Sequence, residues 1–105
     1  VIHVHVKEQN GRIVSLDVTG HAESGPYGQD LVCAGVSSIV TGLGNALDEM
    51  IPGCQLSCRE NRFSFVIPHP DEKSEMVMRT GLIQLKTMEE VSGKYMKIET
   101  EVLKP

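Results

Sequence analysis

The chain has 105 residues, 40% hydrophobic and 23% charged, with a formal net charge of −4 and a pI near 5.5. That length suits one domain, 1–105, with a single core, and the composition is that of a folded chain rather than a disordered one. The acidic balance excludes a non-specific polyanion binder, which needs clustered Lys and Arg to neutralise phosphates, so no direct nucleic-acid contact is expected.

Residues 1–8 alternate, with Ile2, Val4 and Val6 on one face and His3 and His5 on the other. The period of two predicts a half-buried strand. Gln9-Asn10-Gly11 is a turn signal, and 12–19 alternate again, with Val14, Leu16 and Val18 expected inward. The two strands read as a hairpin. Gly20, Gly25, Pro26 and Gly28 then punctuate a polar loop longer than a turn requires.

A helix is expected over about 31–51, with an apolar stripe of Val32, Val36, Ile39, Val40, Leu43, Leu47 and Met50 and a stop at Pro52-Gly53. Residues 54–58 and 62–67 read as a second hairpin about Glu60-Asn61. Cys54, Leu56 and Cys58 line one side of its first strand, and Phe63, Phe65 and Ile67 one side of its second. Pro68 and Pro70 end it, with His69 between them in a loop. A second helix is expected over 71–91, with Met76, Leu82, Ile83, Leu85 and Met88 apolar and an acidic first turn that suits the helix dipole. The last strand, 95–102, has Met96, Ile98 and Val102 expected inward.

This ββαββαβ order predicts an α+β fold of two layers. A five-stranded antiparallel or mixed sheet carries both helices on one face; strand order does not follow from the pattern. There is no run of eighteen apolar residues and no charged-then-apolar leader, so neither a membrane span nor a signal peptide is expected and the cytoplasm is the expected location. Three cysteines is an odd number for a disulfide framework. Cys54, Cys58 and His69 have poor zinc spacing and lack a fourth ligand, so no metal is expected, and the two cysteines read as core.

The chemistry concentrates in 20–38. His21 follows the end of a strand, and Cys33 falls in the first turn of a helix whose N-cap is Asp30. A sulfur there sits at the positive end of the helix dipole, which favours thiolate. His21 can fold back through the loop as base, and free N–H groups of the first turn can stabilise an oxyanion. Ser37, one turn on, shares the face of Cys33. Each residue also has a structural reading. Cys33 can be a packed core cysteine, His21 a strand terminator, Asp30 simply a cap, and Ser37 a donor to its own helix backbone. No phosphate-loop Lys-Ser/Thr follows the glycines, so the loop is not read as nucleotide-binding.

The run Gly20-His21-Ala22, then Gly28-Gln29-Asp30-Leu31-Val32-Cys33-Ala34-Gly35-Val36-Ser37, resembles the signature of the ribosomal-processing cysteine protease family, Prp. The similarity extends over nearly the whole chain. It implies a bacterial homodimer that removes a short N-terminal extension from large-subunit ribosomal protein twenty-seven, with a mobile loop between base and nucleophile. The family's catalytic His and Cys fall on His21 and Cys33, and its other motif positions on Gly20, Asp30 and Ser37. Gly35 departs from the second Ala frequent in the family, a change that leaves the catalytic pair untouched.

The mechanism implied is acyl transfer from a leader peptide bound beside a lid at 22–29, without a cofactor. Two rivals remain at this point: a non-catalytic ribosome-assembly or binding module with Cys33 merely packed, and another thiol hydrolase such as a thioesterase. Redox catalysis is disfavoured, because Cys33 has no resolving cysteine in a Cys-x-x-Cys arrangement.

Overall fold

Two alternating segments meet at Asn10-Gly11, whose φ values of 54° and 77° are both left-handed. That geometry turns a hairpin with the twist its strands require. A computed structural model of the chain describes residues 1–22, 25–26 and 30–105. The expected lid at 22–29 and motif positions Gly28 and Gln29 fall on residues that are wholly or partly outside that description.

The elements follow the expected order: β1 (Ile2–Gln9), β2 (Arg12–Thr19), α1 (Leu31–Met50), β3 (Gln55–Arg59), β4 (Arg62–Val66), α2 (Glu72–Ser92) and β5 (Met96–Leu103). They form a mixed five-stranded sheet of order β3-β4-β2-β1-β5 with two helices, a two-layer α+β fold. Among the described residues only β1–β5 is parallel; the other three pairings are antiparallel. Parallel pairing is possible there because α2 precedes β5 and carries the chain back along the sheet.

Ile2, Val4 and Val6 meet Leu16, Val18 and Phe65 beneath Val36, Val40 and Leu47 of α1 and Met78, Leu82 and Leu85 of α2, all buried. Several sequence expectations change here. The β1–β2 register slips between Lys7 and Glu8, so Val14 is the extra residue of a bulge and Ile13 turns inward in its place, fully buried. Val102 is 73% exposed, and Met76 and Ile83 face away from the core. The edge strand β3 is exposed at every residue, Cys58 included, because the helices do not reach over it. Cys54 is half-buried, its thiol donating to the Leu47 carbonyl at 3.4 Å.

Helix α1 reaches the length and mean hydropathy, 20 residues and 1.3, of a segment able to cross a membrane. Here its apolar stripe packs in the core. Helix α2 starts on a reciprocal cap, in which Ser74 N donates to Asp71 Oδ1 at 2.8 Å and Asp71 N donates to Ser74 Oγ at 2.9 Å. Arg79 bridges Glu8 and Glu75 at 2.8 and 2.9 Å, and Glu75 accepts from Ile13 N, tying α2 to the bulge. Burial lowers the pKa of Arg79, but hydrogen bonds to the two carboxylates outweigh this and leave it above its ordinary value.

The helices pack tightly at Gly81, where an added Cβ would meet Leu43 Cδ2 at 2.6 Å and Cδ1 at 2.9 Å. Leu43 is itself buried and has little room to turn away. Gly81→Ala is therefore expected to cost about 1–3 kcal/mol through overpacking, despite alanine's better helix propensity. Urea denaturation checks this, and a second substitution, Leu43→Val, should recover part of the loss.

Candidate active site

The site is built where the chain leaves β2 and enters α1. Gly20 has φ +90°, and its N–H donates to the Asn61 carbonyl at 3.3 Å. A Cβ at Gly20 would collide with the carbonyl oxygen of Val1. The next two residues part ways: His21 is exposed, whereas Ala22 is 3% exposed and belongs to the core. Burial of Ala22 therefore pins the segment that carries His21.

Asp30 caps α1 as expected. Its backbone is extended, φ −82° and ψ 103°, and its Oδ1 accepts from Cys33 N at 3.0 Å. Its carbonyl accepts from Ala34 N, also at 3.0 Å. Cys33 is thus the third helical residue, half-buried, with its sulfur toward the strand end. There the backbone N–H of Ala22 donates to Cys33 Sγ at 3.2 Å. An N–H aimed at sulfur and the positive end of a helix both stabilise negative charge on it.

One open cleft of about 670 Å³ gathers all five singled-out residues, Gly20, His21, Asp30, Cys33 and Ser37. Ile2, Val18 and Phe63 supply apolar lining, and Asn61 and Ser37 polar groups. Such a mixture suits a peptide, with apolar surface for side chains and polar groups for the backbone. The expected oxyanion donors need revision. The Cys33 and Ala34 N–H groups are both engaged by Asp30, so the described donor at the reacting atom is Ala22 N–H. In the sequence Ala22 is only a motif position directly after the histidine, since a backbone N–H leaves no mark on residue type. Phe63 and Asn61 were equally unassigned, because a β-hairpin brings them across from far along the chain.

Comparison with known proteins gives a consistent result. The family described as "Cysteine protease Prp" matches residues 1–97. Among curated relatives, the ribosomal processing cysteine protease Prp of Staphylococcus aureus (strain Mu50) is 31% identical over 84 residues, 76% of this chain and 79% of that protein. The protein of the same name from Bacillus subtilis (strain 168) is 29% identical over 100 residues, 87% of this chain and 88% of that one. A crystal structure of the essential ribosomal processing protease Prp from S. aureus, with a covalently linked product peptide, superposes with a TM-score of 0.89. It has 24% identity and covers 96% of this chain and all of the other. SMU.848 from Streptococcus mutans superposes at 0.80 with 25% identity, covering 98% and 96%. The first superposition matches the fold, and the family match identifies the chemistry as that of a cysteine protease.

Proposed function

The chain belongs to the cysteine protease Prp family, and from that premise we propose that it trims a short N-terminal extension from large-subunit ribosomal protein twenty-seven, with Cys33 as nucleophile and His21 as base. The observation that supports this reading best is the Ala22 N–H on Cys33 Sγ, which holds the residue after the histidine against the sulfur of the helix start. A cysteine that merely packed would have no need of a cleft, a cap and a backbone donor converging on it.

In this reading the leader peptide lies in the cleft with its scissile carbonyl over Cys33 Sγ. His21 takes the thiol proton as sulfur bonds to the carbonyl carbon. The Ala22 N–H turns from sulfur to the oxyanion that forms beside it. Collapse expels the amine, which takes its proton from His21. Water, deprotonated by the same imidazole, then cleaves the thioester and restores the thiol. These steps need no cofactor. The setting that goes with this substrate is the bacterial cytoplasm, with the enzyme working as a homodimer.

Incubating the protein with the extended ribosomal protein tests the assignment by intact mass. A shortened product supports it. An uncut substrate, or faster hydrolysis of acyl thioesters than of the leader peptide, overturns it.

Asp30 acts in this scheme as a positioning residue, holding the helix start. Asparagine caps a helix about as well as aspartate, whereas alanine loses roughly 1 kcal/mol. Asp30→Asn is expected to keep cleavage within about threefold of the parent, and Asp30→Ala to lower the stability by about that 1 kcal/mol. A loss of about a hundredfold in Asp30→Asn would instead make the carboxylate a direct participant in proton transfer. Thermal denaturation and the cleavage assay together check both.

A further inference from the structure

The cleft does not end at Cys33. Its apolar wall, Phe63, is shared with a second groove of about 370 Å³ that runs on along α1. Helix positions Ser37, Thr41, Asn45 and Asp48 recur every three or four residues, so one stripe of α1 borders both. Facing it are the buried Phe65 and, beyond it on β3, the exposed Leu56 and Cys58, which the helices leave bare. Leu56 and Cys58 stand open beside the cleft and take no part in the hydrophobic core.

Charge marks the far end. The last turn of α1 contains Asp48 and Glu49 and no basic residue. Both carboxylates add to the negative end of the helix dipole instead of opposing it, an arrangement unfavourable to the helix itself. Among the described residues neither is in an ion pair. Asp48 lines the groove.

We infer that this groove is an extended subsite for the substrate, binding an extended, apolar stretch of peptide that ends in a lysine or arginine opposite Asp48. The inference rests on the protease reading above and adds where specificity beyond the scissile bond is set. Fifteen helical residues from Cys33 to Asp48 span about 22 Å. At about 3.3 Å per extended residue, the basic side chain falls six or seven positions from the scissile bond.

The test measures binding to the Cys33→Ala protein, so that it does not depend on turnover. Fluorescent peptides spanning the leader junction carry either a lysine or an alanine about seven residues from the scissile bond, placed on each side in turn. Asp48→Lys is expected to weaken the tighter lysine peptide about fivefold and the alanine peptide less than twofold, as for one exposed ion pair. Melting temperature should hold or rise, since a lysine suits the end of a helix. Leu56→Asp should weaken the long peptide and spare a short one that spans the cleft alone. Equal weakening of lysine and alanine peptides, or none, overturns the inference. So does a change in sedimentation of Leu56→Asp, which would make a second copy of the chain the occupant. If the Cys33-intact protein leaves the peptide uncut while these binding differences persist, the protease reading falls and the groove stands.

Discussion

Cys33→Ala is expected to abolish leader cleavage, with a loss on the order of 10⁴-fold or more in kcat/KM, and His21→Ala to come close to it. The reason lies in the order of events. No bond to the scissile carbonyl forms without the sulfur, and without the imidazole the thiol proton has no acceptor and the leaving amine no donor. The remaining cleft still binds peptide, so KM should change far less than kcat. Because the two side chains act on one proton, their effects do not add. The double variant is expected to be no worse than Cys33→Ala alone. Neither substitution removes a large buried side chain, since Cys33 is half-buried and His21 exposed, so both proteins should fold. Cleavage surviving in Cys33→Ala would end the assignment. Cys58, exposed on β3, supplies an internal reference for thiol reactivity. Alkylation at neutral pH followed by peptide mass mapping should label Cys33 faster than Cys58, a difference that a merely packed Cys33 would reverse.

Gly20→Ala is expected to carry the largest cost in stability outside the core, about 3 kcal/mol, with cleavage reduced as well. Two costs combine. A φ of +90° is a conformation that L side chains rarely adopt, and the new Cβ would be driven into the Val1 carbonyl oxygen, which is backbone and cannot swing aside. The chain must then move at the residue directly before His21, away from the bond between Gly20 N and the Asn61 carbonyl. Displacement of His21 and of the Ala22 N–H follows, so kcat should fall even at temperatures where the variant is fully folded. Urea denaturation reads the first effect and cleavage at low temperature the second. A variant as stable as the parent would mean that the turn at Gly20 relaxes without cost.

The family signature shows why the site was so legible. Gly20, His21, Asp30, Cys33 and Ser37 lie within eighteen residues of one another, so one short segment carries the whole cluster. Gly20 takes a positive φ, Asp30 caps a helix, and Cys33 follows three residues on. The resemblance then named the family, and the match over residues 1–97 agrees. Less legible were the walls. Phe63 and Asn61 reach the cleft only because β4 pairs with β2, and that pairing is a tertiary fact.

Local pattern likewise carried the seven elements, since a period of two or 3.6 is visible within one segment. It failed where burial depends on a neighbour. One bulged residue, Val14, reverses the inward face at the start of β2. Cys58 reads as core in the sequence and is exposed in the structure, because alternation cannot tell a covered sheet face from a bare one. Val102 is apolar and exposed for a similar reason: it lies on the edge strand β5. The sequence by itself therefore determined the element order, the Asp30 cap and the cluster that names the family, all of which act over a few residues. Only the tertiary structure decided the β3-β4-β2-β1-β5 order, the parallel β1–β5 pair and the Ala22 N–H on the sulfur of Cys33. Those depend on which surfaces meet, a free-energy balance between distant segments that no local period records.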